Sequence, residues 1–246
     1  MNWLIGMILD NDSIRNSIIR WAILAICAWL KGKGIKPTES WKDAWGQERR
    51  YAFYVARIME KDVLKDVQAS LEGALDEGVP FDEWKKAVAP AFDSSGWADY
   101  NGEAEDNPSR LRTVYDTNMR TARMAGQLER QERVKDLFPY VKWTLGPSKI
   151  HRDQHLEWED LVLPLDSEWV QSHIPPCGFG CRCGLAALTT AQAEDESISE
   201  EPDFEMVDWD DGDGNVTQAP EGVMPGFGQN PLVAREQSLK ERADGD

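Results

Sequence analysis

The chain has 246 residues, enough for one large domain or two small ones, and 44 acidic against 27 basic side chains give a net charge of −17. That balance excludes a general nucleic-acid-binding surface, which needs clustered Lys and Arg against phosphate. The longest unbroken apolar run, Trp21 to Leu30, falls well short of the roughly 20 residues that cross a bilayer, and the first residues lack the basic stretch and cleavage site of an export signal, so synthesis in a reducing cytoplasm, reduced cysteines and no membrane association are expected.

Ile14, Ile18, Trp21, Leu24 and Ala28 recur at helical spacing and predict a helix over 11–32, stopped by Gly32 and Gly34 ahead of Pro37. Thr38 or Ser40 can cap a second helix through WKDAWGQERRYAFYVARIMEKD, residues 41–62. A third runs from about Lys61 to Asp76, with Leu64, Val67, Leu71 and Ala74 or Leu75 as its apolar stripe and Gly78 as its stop. FDEWKKAVAPAF makes a short fourth helix whose first-turn acids suit the helix dipole. Residues 1–100 therefore read as an N-terminal helical bundle with its aromatics in the core.

The turn-rich stretch over 93–109 marks an internal boundary. RLRTVYDTNMRTARMAGQLERQERV follows as a long helix, and YVKWTLG, alternating Val141, Trp143 and Leu145 with Tyr140, Lys142 and Thr144, reads as a strand. The stretch from His151 to Gly180 reads as mostly irregular with one extended piece at LVLP, and CRCGLAAL returns as a strand. Residues 106–192 thus form a small α+β domain, and the fold class is α+β. Beyond it the composition changes: residues 194–246 hold 16 Asp and Glu against 3 Lys and Arg, a net of −13. Rich in Pro and Gly and poor in apolar residues, 193–246 read as an extended acidic arm ordered only by contacts.

Three of the four cysteines lie in Cys177-x-x-x-Cys181-x-Cys183. Zinc sites use Cys and His, and His151 and His155 lie within reach in sequence, but CxxxC and CxC differ from the usual CxxC pairs. A structural turn, permitted by Gly178, Gly180 and Gly184 and filled by small buriable thiols, competes with zinc. A Cys–His nucleophile with His155 or His173 as base lacks a residue placed to orient it, so no catalytic or cofactor-binding residue is assigned. Asp211, Asp213 and Asn215 imitate the start of a calcium loop, yet Val216 and Gly222 stand where Gly and Glu belong, which leaves a solvated charge run.

These segments together resemble a known family. AWLKGKGIKPTESWKDAWGQERRYAFYVARIMEKDVLKDVQASLEGALDEGVPFDEWKK is similar to the helical half of the phage Mu F-like minor head proteins. RLRTVYDTNMRTARMAGQ resembles their Tyr-Asp-Thr-Asn helix, and HRDQH, LVLPLDSEW and IPPCGFGCRC resemble, in order, their most recognisable block. Positions matching the family are Tyr115, Asp116, Thr117, Asn118, Gly126, Arg152, His155, Pro175, Pro176, Gly178, Cys181, Arg182 and Cys183, whereas Cys177 stands where Asn is common and His151 precedes the motif. The resemblance therefore leaves His155, Cys181 and Cys183 as the metal candidates; the structural turn is preferred, with zinc the open alternative and at most substoichiometric zinc expected.

The same resemblance implies a minor capsid or head-morphogenesis protein of a tailed phage, located in the virion inside the head near the portal. Its implied partners are the portal protein and the major capsid protein, with packaged DNA near only by proximity. The family's C-terminal half has been likened to an ADP-ribosyltransferase, which implies an alternative: an effector carried in the head and released with the genome. Glu194-Asp195-Glu196 fits one motif of such an enzyme, but no Ser-Thr-Ser strand occurs, and the chain is not read as an enzyme.

Overall fold

Leu64, Val67, Leu71, Ala74 and Leu75 return every three or four residues, and a helix places them on one buried face. That helix, α1, spans Lys61–Glu77 and belongs to a computed structural model that describes residues 24, 26–44, 52–56, 58–94 and 108–233. Gly78 ends it at φ 70, a left-handed conformation that costs an L side chain, and its N–H closes on the Ala74 carbonyl. The chain then enters α2, Phe81–Ser94, with Asp82 and Glu83 in the first turn. Helix α3, Pro108–Arg133, follows.

These three helices enclose a first core that holds Leu64, Leu71, Trp84, Phe92, Leu111 and Met119. Trp84 Nε1 donates to Ser70 Oγ at 3.0 Å, and the Tyr115 hydroxyl donates to the Val79 carbonyl at 2.6 Å, so the polar atoms of two core aromatics are satisfied. Residues 26–31 are helical and bring Trp29 and Leu30 into the same core, where Gln68 Nε2 donates to the Leu30 carbonyl at 2.8 Å. The rest of the helix expected over 11–32, most of the boundary over 93–109, and the chain beyond 233 lie outside the described residues.

A second core lies on a three-stranded antiparallel sheet of order β4-β3-β5, formed by β3 (Tyr140–Thr144), β4 (Val162–Pro164) and β5 (Gly184–Leu188). The alternation in β3 is realised, with Val141 and Trp143 buried and Tyr140, Lys142 and Thr144 half-buried. Val141 faces Leu163 across one ladder, and Trp143 faces Leu185 across the other. Helix α3 joins the cores: Tyr115, Met119 and Ala122 pack into the first, Met124 and Leu128 into the second. Mixed helix and sheet agree with the α+β class.

Three expectations need correction. The helix expected over 41–62 is, among the described residues, a 3-10 turn (Trp41–Ala44) and a two-residue strand β2 (Ala52–Phe53), paired in parallel with β1 (Gly34–Ile35). Phe53 and Val55 are buried around a half-buried Tyr54, and this period of two suits a strand. The stretch from His151 to Gly180 contains two short helices, α4 (Asp153–Glu157) and α5 (Glu168–Ser172). Ser167 Oγ starts α5 by accepting the Val170 N–H at 3.2 Å.

The third correction concerns the acidic arm. Residues 190–196 form α6 (Thr190–Glu196) behind a capping box made by Thr189 and Gln192. The strands β6 (Met206–Asp210) and β7 (Val216–Pro220) make a hairpin. Val223 is fully buried and Phe227 nearly so, both within the second core. Among the described residues of this segment the acidic side chains other than Asp211 are exposed, and although Ile198, Met206 and Val216 are exposed as well, Val223 and Phe227 are buried, so the segment contributes part of the core it was expected only to touch.

Candidate functional site

The 177–183 loop and α4 bring His155, Cys181 and Cys183 together. His155 Nδ1 lies 3.6 Å from the Cys183 sulfur and 3.9 Å from the Cys181 sulfur, and the candidate ligand atoms of all three residues lie within 4.8 Å of one another. Cys181 and His155 are buried and Cys183 is half-buried. His151 and Cys177, which the sequence had set beside them, do not join. The Cys177 thiol instead donates to the His173 carbonyl at 3.4 Å, and burial pushes it well above the ordinary thiol range.

The imidazole of His155 is held on its far side. Nε2 lies 3.2 Å from the Gly222 carbonyl oxygen, an atom that can only accept, so Nε2 donates there and Nδ1 faces the sulfurs. Only glycine allows this contact. Gly222 has φ 76, and a Cβ there would meet the Trp158 ring at 2.6 Å.

The sulfurs are similarly supported. Backbone N–H groups of Cys177 and Cys183 bond to the Cys181 sulfur, and that of Gly146 bonds to the Cys183 sulfur. Within the pair, the Cys183 thiol donates to Cys181 and pulls it below the ordinary thiol range, while the same bond and burial push Cys183 up.

Aromatic rings wall the site. His155 stacks on Trp158 with ring centroids 4.8 Å apart, and Trp143 stands edge-on to both, 6.0 Å from His155 and 5.2 Å from Trp158. Beyond Trp158, His173 stacks on Trp169 at 4.2 Å and 2°. His173 is 1 % exposed, its Nδ1 meets the Trp169 carbonyl at 2.8 Å, and its Nε2 has no hydrogen-bond partner. Burial is the main cause that brings its imidazole down from an ordinary 6.5 to about 4, with the nearby His155 acting in the same direction.

The outer side of the same loop borders a cleft of about 770 Å³ between the two cores. Thr113, Thr117 and Asn118 of α3 line it together with Pro176, Phe179 and Phe227. Trp29 Nε1 donates to the Pro231 carbonyl at 3.3 Å beside it, tying the N-terminal part of the chain to the C-terminal segment. Arg152 pins the loop by donating from Nη2 to the Phe179 carbonyl at 3.0 Å. Thr117 and Asn118, singled out in the sequence, thus line a cleft, whereas Tyr115 beside them is a core residue.

Two acidic motifs have structural roles. Asp211 accepts the Asp213 and Asn215 N–H groups with one carboxylate oxygen and the Asn215 side chain with the other, which closes the β6–β7 turn. Lys42 donates to the Asp211 carbonyl and reaches Asp213 at 3.1 Å, anchoring that turn to the N-terminal region. Glu196 of the Glu194-Asp195-Glu196 triplet pairs with Lys142 at 2.7 Å. The sequence reading missed Gly222 and the rings Trp143 and Trp158: Gly222 lies 67 residues from the histidine it supports, and no local pattern announces such a contact.

Residues 65–186 match the family described as Phage Mu protein F like protein. The chain is 30% identical over 178 residues to the "Putative capsid assembly protein F" of Escherichia phage Mu, an alignment covering 68% of this chain and 40% of that protein. It is 29% identical over 158 residues to the "Mu-like prophage FluMu F protein" of Haemophilus influenzae, covering 62% and 38%. The chain thus spans about two fifths of the length of these curated relatives. No solved structure matches it.

Proposed function

Because the chain belongs to the Phage Mu protein F like family, we propose that it is a minor head protein of a tailed bacteriophage, acting in capsid assembly inside the head at the portal vertex. The observation that carries this reading is the extent of the match, which runs from within α1 through α3 and the cysteine loop into β5. The match therefore takes in both cores rather than a single motif. The relative from phage Mu bears an assembly name, which supports a structural role over a catalytic one. Its partners are the portal protein and the major capsid protein, met during head assembly. No helix among the described residues is long and apolar enough to cross a membrane.

Co-expression with the portal protein and, separately, with the major capsid protein of the same phage tests the reading. An affinity tag on the viral partner should retain the full chain, most strongly with portal, and the chain should be found in purified heads. Retention by neither partner, together with absence from heads, overturns the proposal.

A further inference from the structure

We infer that His155, Cys181 and Cys183 hold a zinc ion, with water as the fourth ligand. The geometry carries the assignment. Tetrahedral zinc, with Zn–S near 2.3 Å and Zn–N near 2.0 Å, places sulfur and nitrogen ligands ~3.5 Å apart and two sulfurs ~3.8 Å apart. The His155 Nδ1 to sulfur distances are 3.6 and 3.9 Å, and no pair in the set exceeds 4.8 Å. The three side chains already sit near the corners of such a tetrahedron, so binding needs only small adjustments.

The surroundings match what such a site requires. A metal-bound imidazole commonly donates its other N–H to a carbonyl, which fixes ring orientation and tautomer, and the Gly222 carbonyl is in that position. The cluster contains no carboxylate, and two thiolates with an imidazole favour zinc over magnesium or calcium. Trp143 and Trp158 shield the histidine from water. A Cys181–Cys183 disulfide would leave unexplained why His155 Nδ1 faces both sulfurs. The unusual CxC spacing argued against zinc in the sequence, but spacing weighs less once a histidine from α4 supplies the third corner.

The bound ion ties α4 to the loop leading into β5, and through His155 to the segment at Gly222. So placed, the ion locks the walls of the second core to one another.

The test uses the full chain, expressed in zinc-supplemented cells and purified under reducing conditions without a polyhistidine tag. Elemental analysis should find one zinc per chain. Cys183→Ser should lose it, while Cys177→Ser, altered in the same loop but outside the cluster, should keep it. Should Cys183→Ser fail to fold, cobalt titration of the chelator-stripped wild-type chain decides: thiolate-to-cobalt charge-transfer absorption and tetrahedral visible bands, saturating at one equivalent, are expected. Wild-type protein with no zinc above background and no such cobalt spectrum overturns the inference. So does a mass showing the two cysteines oxidised to a disulfide under reducing conditions.

Discussion

His173 makes stability depend on pH in a window where few other groups titrate. Its folded value is about 4 against an ordinary 6.5, so between these values the unfolded chain carries a proton that the folded chain excludes. Stability from this group is therefore complete above about pH 6.5 and is lost as the pH falls toward 4. The full difference is about 3 kcal/mol, from roughly 1.4 kcal/mol per unit, and about 2 kcal/mol of it disappears between pH 7 and pH 5. Urea unfolding followed by tryptophan fluorescence reads this directly, because Trp158 and Trp169 contact the ring. In His173→Phe the stack on Trp169 is kept and an unpartnered buried nitrogen is removed, so the variant should match or exceed wild type at pH 7 and lose about 2 kcal/mol less than wild type between pH 7 and pH 5. A wild-type midpoint that stays flat from pH 7 to 5, or a variant whose midpoint falls in parallel, refutes the reasoning.

Gly222→Ala should lower stability by at least about 2 kcal/mol, since a left-handed φ costs about 1–2 kcal/mol and the added Cβ meets the rigid Trp158 ring; a thermal melt indistinguishable from wild type would refute the role given to this residue. Phe227→Ala should cost about 3–5 kcal/mol, an outcome incompatible with a detached acidic arm, and chemical denaturation measures it. Tyr115→Phe should cost about 1 kcal/mol through the orphaned Val79 carbonyl yet leave portal retention unchanged, as expected of a core residue within the Tyr-Asp-Thr-Asn segment.

Local physics was legible and distant contacts were not. The stripe Leu64, Val67, Leu71, Leu75 with Gly78 behind it predicted α1 to within a residue at its C-terminal end, because periodicity and capping are decided within a few turns. The alternation around Trp143 located β3 for the same reason. Residues 41–62 failed because the aromatic and β-branched positions Phe53, Val55 and Ile58 satisfy a helical and a strand pattern equally well, and the pairing of β2 with β1 decided between them. The C-terminal segment failed through averaging: a net charge summed over 194–246 conceals Val223 and Phe227, whose burial depends on a cavity built elsewhere. At the site, residue type pointed to His155, Cys181 and Cys183, but whether they meet depends on how the chain between them folds back.

Helix α3 spans about 39 Å at 1.5 Å per residue, and neither core is complete without it. Its Gln127 side chain also donates to the Leu185 carbonyl at 2.5 Å, gripping the sheet. A single stiff rod with both ends embedded leaves no hinge between the bodies it joins. Strain applied to the sheet must therefore register in the helical half, and the molecule should come apart in one calorimetric step, as a unit with no removable piece.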